Sequence, residues 1–464
     1  MARELMGDVI VLLPGILGSV LQKDGRDVWG LSVGAFSNAL WHLGANVKDL
    51  AVPPDGFDDV DFDDGVTAPR LMPDLHLVPW LWKIDGYGLI AKKLNEEFEL
   101  EVGRNYFEFP YDWRLDNRIA AQKLKVKSQQ WLKDWRERSG NQNAKLILVG
   151  HSMGGLVSRY FLECLEGWRE TRMLITFGTP YRGSLNALNF ISNGLVKKIG
   201  FVELLNLSEM LRSFTSVYQL LPIYKCFDSG DGQLTRLSET DGIPNTDAAR
   251  VKKALAFHNE IRTAVENNLT DENYRNNRYQ IYPIVGLNQP TFQSARLTGG
   301  KVETLREYEK KDDGGDGTVP RVSATPIELG NQNREVFANA QHGSLQNTDS
   351  VLTQLKGLLS GLQIDSDRFK NISSSRTGLE IEDAYQIGEP IIISARSESR
   401  ADLVAIISET ETNAETGRGE LSKNLSDWQD REFPPLPQGT YRVSIKDKKT
   451  MSELVTDIFL VLPN

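Results

Sequence analysis

The run Leu146-Ile147-Leu148-Val149-Gly150-His151-Ser152-Met153-Gly154-Gly155, continued by Leu156-Val157-Ser158-Arg159-Tyr160-Phe161-Leu162, changes character twice. Its four apolar residues read as a strand buried on both faces. A glycine-flanked turn with Ser152 at the apex follows, and then a helix. Small flanking residues let a strained turn push a hydroxyl into the open. A serine hydroxyl is inert until a base takes its proton, so Ser152 in this setting predicts two more residues downstream.

The second residue should be a carboxylate at the end of a later strand, and the third a histidine later still. Gly315-Asp316-Gly317-Thr318-Val319-Pro320 offers the carboxylate in a tight turn, with Asp312 and Asp313 as neighbouring alternatives. Of five histidines, His342 alone follows Asp316; His42, His76 and His258 break the order, and His151 lies inside the turn itself. Ser152 would then attack an acyl carbonyl, His342 would move the proton, and Asp316 would hold the imidazole tautomer. The anionic intermediate needs two backbone N–H donors, for which the spacing offers Met153 and a residue of Pro14-Gly15-Ile16-Leu17-Gly18, Ile16 ahead of Leu17.

Working outward, residues 9–13 read as a strand feeding that glycine-rich loop, 106–109 as a strand and 119–138 as an amphipathic helix closed by Gly140. Residues 87–98 and 251–267 read as helices, 173–177, 279–285 and 335–338 as strands, 301–308 as an added strand and 350–362 as the last helix. Strands alternating with helices predict a mainly parallel sheet, and with the serine turn they predict an α/β-hydrolase fold. Residues 28–82 have poor periodicity and carry Trp29, Trp41, Trp80 and Trp82, which reads as an irregular aromatic insertion or cap. Residues 185–221 lack a clean apolar face and read as a mobile excursion above the sheet. The hydrolase-like domain is expected over 1–362, linker and lead-in over 363–389, and a small all-β, sandwich-like domain over 390–464.

Composition narrows the function. The chain has 464 residues, 40% of them hydrophobic and 25% charged, as in an ordinary globular protein. A net charge of −10 with no basic concentration argues against a nucleic-acid partner. No secretory signal is read at the first residues, and no run reaches the roughly 18 apolar residues of a membrane span, so a cytoplasmic location is expected. Cys164 and Cys226 cannot form a disulfide framework, and Cys164 reads as a buried, inert thiol. Zinc spacings, phosphate loops and dinucleotide fingerprints are missing, so no cofactor and no metal are expected. The acidic stretch Asp58-Asp59-Val60-Asp61-Phe62-Asp63-Asp64-Gly65 fails the spacing of a calcium loop and reads as solvated. Asp112 and Arg114 read as a structural ion pair beneath a loop.

These motifs together resemble the lecithin:cholesterol acyltransferase family, which includes lysosomal phospholipase A2 and the phospholipid:diacylglycerol acyltransferases. The similarity is carried by Pro14-Gly15-Ile16-Leu17-Gly18, Pro110-Tyr111-Asp112-Trp113-Arg114, His151-Ser152-Met153-Gly154 and Gly178-Thr179-Pro180-Tyr181-Arg182-Gly183-Ser184. It continues through Ser213-Phe214-Thr215-Ser216-Val217-Tyr218-Gln219-Leu220-Leu221-Pro222, Gly315-Asp316-Gly317-Thr318-Val319 and His342-Gly343. The resemblance implies a triad of Ser152, Asp316 and His342 and an oxyanion hole of Ile16 and Met153. It also implies an acyl-enzyme on glycerophospholipid or other lipid esters, a lid within 185–221 and a membrane-contacting insertion matching 28–82. Unlike secreted relatives, the chain has no cysteines around that insertion, and it carries an extra β-domain.

A lipid acyl hydrolase or O-acyltransferase is therefore the leading expectation. The competing readings are a general carboxylesterase on soluble esters and a non-catalytic binding or scaffold protein retaining the fold. The partners expected are a lipid or ester substrate, peripheral contact with a membrane, and a protein docked on the C-terminal β-domain.

Overall fold

The computed structural model describes residues 3–30, 50–53, 62–72, 76–78, 82–199, 202–329, 335–361, 377–397, 401–410, 412, 414–423 and 428–462. Numbering only the elements used below, the central strands are β1 (Val9–Leu13), β2 (Tyr106–Glu108), β3 (Leu146–His151), β4 (Thr171–Phe177), β5 (Gln280–Gly286) and β6 (Val336–Ala338). They form one sheet in the order β6-β5-β4-β3-β1-β2, and every neighbouring pair is parallel. Each residue of β1 and β3 is buried, so both faces of the sheet are covered at its centre. That is why these strands read as unbroken apolar runs instead of alternating ones.

The main helices are α1 (Gly88–Glu97), α2 (Asn117–Ser139), α3 (Met153–Cys164), α4 (Leu185–Asn193), α5 (Ala248–Asn268) and α6 (Asp349–Ser360). Asp116 caps α2 by accepting from Arg118 N–H, and Gly140, at φ 71°, closes it in the left-handed conformation. Helix α3 packs on α2 and α5, while α1 and α6 pair beside the turn that carries His342. The strand order and the β3–turn–α3 unit fit an α/β-hydrolase fold.

Two stretches differ from the sequence expectation. Within 28–82, Ser19–Lys23, Arg26–Trp29 and Val66–Leu71 form an antiparallel sheet, and His76–Val78 pairs with Trp82–Ile84. Trp29 is buried and meets Trp113 edge-on at 5.5 Å, which makes it core. Trp41, Trp80 and Asp58–Asp61 lie outside the described residues. Within 185–221 the chain folds into α4, a hairpin of Val196–Ile199 with Val202–Asn206, and short helices Ser208–Ser213 and Thr215–Gln219. Leu188, Ile191, Met210, Phe214 and Val217 enter the main core, so this part is packed and not a loose excursion. Its pattern was hard to read because short helices do not repeat long enough to show one face.

The C-terminal strands form two facing sheets with their own apolar core, which includes Ile391, Ile393, Ala405, Val443, Ile445 and Phe459. Alternating burial along Ile391–Ser397 is that of a sheet with one dry face. Thr377–Glu380 and Ala384–Gln386, inside the stretch read as linker and lead-in, already belong to these sheets.

Candidate active site

The turn after β3 holds Ser152 at φ 51° and ψ −123°, a conformation a residue with a Cβ adopts only under constraint. The constraint comes from close packing: a Cβ on Gly154 would sit 2.5 Å from the Pro14 carbonyl oxygen. The loop after β1 therefore lies against the turn, and Gly15 comes so near that its Cβ would be 2.8 Å from that of Ser152.

Asp316 and His342 converge on Ser152 from the ends of β5 and β6. Asp316 Oδ1 accepts from the backbone N–H groups of Thr318 (2.9 Å) and Val319 (2.7 Å), which fixes the carboxylate. Its Oδ2 lies 2.7 Å from His342 Nδ1, and its carbonyl accepts from His342 N–H at 2.7 Å. His342 Nε2 lies 3.0 Å from Ser152 Oγ. A carboxylate can only accept, so Nδ1 carries the hydrogen and Nε2 is left to receive one from the hydroxyl. All three side chains are buried, Ser152 at 2% and His342 at 3% relative exposure. Asp312 is engaged elsewhere, accepting from Gln293 Nε2 and Gly314 N–H, and Asp313 pairs with Lys311.

Ile16 lies in the loop over Ser152, and Met153 is the first residue of α3. Gly15 N–H is already committed to Tyr87 Oη at 2.8 Å. The elements thus bring Ser152, Asp316 and His342 together, with Met153 following Ser152 in the chain and Ile16 following Gly15, which lies against Ser152. His258 lies apart, with Nε2 2.8 Å from the Gln219 carbonyl, and burial pushes its pKa down to about 4.

Around the site are residues to which the sequence assigned no role. His151 and Tyr87 link the loop over Ser152 to the His342 loop. Gln289, buried at the end of β5, contacts Gln341, the residue before His342. On α3, Arg159 binds Glu163, Glu328 and Tyr279, and Glu163 also accepts from Tyr274. Only adjacency offered a signal, since His151 precedes Ser152 and Gln341 precedes His342. Asp112 and Arg114 do form a buried pair, which Asp64 completes. Burial raises the Cys164 thiol to about 12, as an inert cysteine requires. Among the described residues no cluster of three His, Cys, Asp or Glu side chains could hold a metal ion, and no helix is long and apolar enough to cross a membrane.

A parallel sheet of this order, with a serine on its strained strand-to-helix turn facing a histidine and a carboxylate, defines the α/β-hydrolase class. The chain belongs to the lecithin:cholesterol acyltransferase family, whose profile matches residues 71–332. It is 28% identical over 117 residues to a lysosomal phospholipase A and acyltransferase of Homo sapiens, covering 24% of this chain and 27% of the relative. It is 26% identical over 187 residues to a lecithin-cholesterol acyltransferase-like protein of Arabidopsis thaliana, covering 36% of this chain and 43% of that one. The matched part thus spans less than half the length of either relative. Among solved structures, a Bacillus licheniformis lipase in its propeptide form aligns over 99% of this chain and 75% of its own, at 14% identity and a TM-score of 0.37.

Proposed function

We propose that the chain is a serine-dependent lipid acyl hydrolase or O-acyltransferase acting on glycerophospholipid or related lipid esters. The observation that carries the reading is the continuous line from Asp316 Oδ2 to His342 Nδ1 at 2.7 Å and from His342 Nε2 to Ser152 Oγ at 3.0 Å. Ser152 Oγ bonds to the acyl carbon while its proton passes to His342 Nε2. The carbon–oxygen bond to the alcohol then breaks, and the same proton leaves on the alcohol oxygen. Water or a second alcohol attacks the acyl-serine, gives its proton to His342, and releases the acid or new ester as Ser152 regains its hydrogen. Asp316 keeps Nδ1 protonated and steadies the imidazolium. Backbone N–H groups of Ile16 and Met153 receive the oxyanion.

In this reading residues 185–221 form the lid side of the site, residues 28–82 approach the lipid surface, and the enzyme works in the cytoplasm at a membrane face. Burial of the triad supports lipid-gated access, because a serine at 2% exposure needs some movement before a long ester can enter. The test is an alkyl fluorophosphonate probe with the native chain and Ser152→Ala, followed by mass spectrometry of products from mixed phospholipid vesicles with and without added alcohols. Labelling only of the native chain, with release of fatty acid or a new ester, is expected. Equal labelling of both chains, or of neither, overturns the serine chemistry. Turnover of soluble short esters with none of dispersed lipid favours a general carboxylesterase instead.

A further inference from the structure

The loop that carries His342 leaves the central sheet from its edge. β6 has three residues, paired through Val336, Phe337 and Ala338 with β5 on one side only. Ser152, by contrast, follows a six-residue strand with neighbours on both sides. A short strand paired on one side fixes little of the loop beyond it, so the imidazole needs support from elsewhere.

The C-terminal β-domain supplies that support at three points around His342. Asn339 Nδ2 donates to the Leu454 carbonyl at 2.6 Å. Gln341 Nε2 donates to the Leu379 carbonyl at 3.3 Å and to Gln289 Oε1 at 3.2 Å. Gln289 Oε1 also accepts from Leu379 N–H, and Gln289 Nε2 donates to the Thr377 carbonyl, each at 3.2 Å. The backbone N–H of Gln289 meanwhile donates to the carbonyl of Gly315, the residue before Asp316, at 3.0 Å. One residue, 1% exposed, thus joins the loops of Asp316 and His342, and the β-domain completes the bonding of its amide.

The third point is ionic. Arg442, in the β-domain strand Gly439–Asp447, sets Nη2 2.7 and 2.9 Å from the two carboxylate oxygens of Asp85. The Asp85 side chain is 6% exposed, so its charge needs that partner. The Asp85 backbone holds the turn His342–Asn347 near both ends. Its N–H donates to the Gly343 carbonyl at 2.9 Å, and its carbonyl accepts from Asn347 Nδ2 at 2.8 Å.

We propose that the C-terminal β-domain is part of the acyl-transfer machinery, with Gln341 and Arg442 as positioning residues that hold His342 within reach of Ser152. The proposal rests on the serine acyl chemistry proposed above. It gives a role in that chemistry to a domain the family profile, ending at residue 332, does not reach. Both residues act through the His342 loop and not on the ester, so their loss should lower kcat and leave KM nearly unchanged.

The experiment measures Arg442→Gln, Arg442→Lys and Gln341→Ala in the full chain on p-nitrophenyl butyrate, with the folded fraction taken from circular dichroism and urea unfolding. Arg442→Gln and Gln341→Ala should each lower kcat about tenfold or more, with KM within about twofold of native. Alkyl fluorophosphonate labelling should slow in step, since it needs the same imidazole. Amide hydrogen exchange over residues 339–347 should quicken about tenfold or more, while that over β1 and β3 stays native. Arg442→Lys keeps the charge beside Asp85 and should recover most of the rate. Lys448→Gln, which breaks the exposed β-domain pair with Glu420, should match the native chain in every readout. Arg442→Gln strands a buried carboxylate; Gln341→Ala strands none and carries the test where the other does not fold. A urea midpoint that drops while folded variants keep native kcat and native exchange overturns the proposal. A native chain that takes up no fluorophosphonate and cleaves no ester fails at the earlier step, and the serine chemistry falls together with this proposal.

Discussion

His151 Nε2 lies 3.1 Å from the backbone carbonyl of His342, so the residue before Ser152 holds the loop that carries His342. A carbonyl only accepts, which makes Nε2 the protonated nitrogen and leaves Nδ1 as an acceptor. Tyr87 Oη stands 2.9 Å from that Nδ1 and receives Gly15 N–H at 2.8 Å. The chain Gly15, Tyr87, His151, His342 thus ties the loop over Ser152 to the loop of His342. Burial, with the nearby His342 second, pushes the His151 pKa down to about 3, so this neutral arrangement persists through ordinary pH.

Tyr87→Phe removes the middle of that chain and leaves a buried N–H and a buried imidazole nitrogen without their partner. A loss of about 1–3 kcal/mol in stability is expected from the unmade bonds. Because both catalytic loops loosen, kcat for a soluble ester should fall about tenfold or more with KM changing less, a misplacement effect. Urea unfolding and steady-state kinetics measure the two. A variant with native kcat shows that the link is structural only.

Asp316→Asn tests the tautomer argument. The amide oxygen can keep the N–H groups of Thr318 and Val319, so the turn should survive. The amide nitrogen then faces His342 Nδ1 and donates to it, which moves the imidazole hydrogen to Nε2, where the serine needs an acceptor. A drop on the order of 10⁴ in kcat is expected, with a parallel slowing of fluorophosphonate labelling and an unchanged circular dichroism spectrum. Activity within tenfold of native contradicts the role of Asp316.

The parts of this site that were legible in the sequence are those with a local signature. The four apolar residues 146–149, the glycines around Ser152 and the order of Asp316 and His342 are all visible along the chain, and the elements bring them within contact. The role of Tyr87 was not legible: it opens the helical pattern of 87–98 like any apolar residue, and its partners Gly15 and His151 are 72 and 64 residues away. Gln289 and Gln341 were hidden for the same reason, since their amides meet each other and the distant strand Thr377–Glu380 of the β-domain. Strand and helix identity followed periodicity, whereas the helices of 185–221 were too short to show it.

His258 gives a pH prediction with a definite sign. Its unfolded value is near 6.5 and its folded value about 4, lowered by burial. Between those values the unfolded chain holds more protons than the folded one, so stability falls as pH drops through that window. The contribution of one such histidine is up to about 1.4 kcal/mol per pH unit. His258→Gln keeps a donor for the Gln219 carbonyl and cannot titrate, so its urea midpoint should depend less steeply on pH between 6.5 and 4. Parallel profiles for variant and native chains refute the assignment.

The Arg159 cluster under the serine helix should behave as a unit. The Glu163 side chain is fully buried, and besides Arg159 it accepts from Tyr274 at 3.0 Å and Tyr279 at 2.7 Å. Arg159→Met removes the compensating cation and leaves a carboxylate deep in the core, at an expected cost of about 3–5 kcal/mol. Glu163→Gln in the same chain removes the stranded charge while keeping an acceptor for the two tyrosines, so the double variant should recover part of the loss. A double-mutant cycle by urea unfolding measures the coupling. Additive losses would mean that the arginine and the glutamate stabilise α3 independently, and that Tyr274, Tyr279 and Asn268, which also donates to Glu163, hold the carboxylate without Arg159.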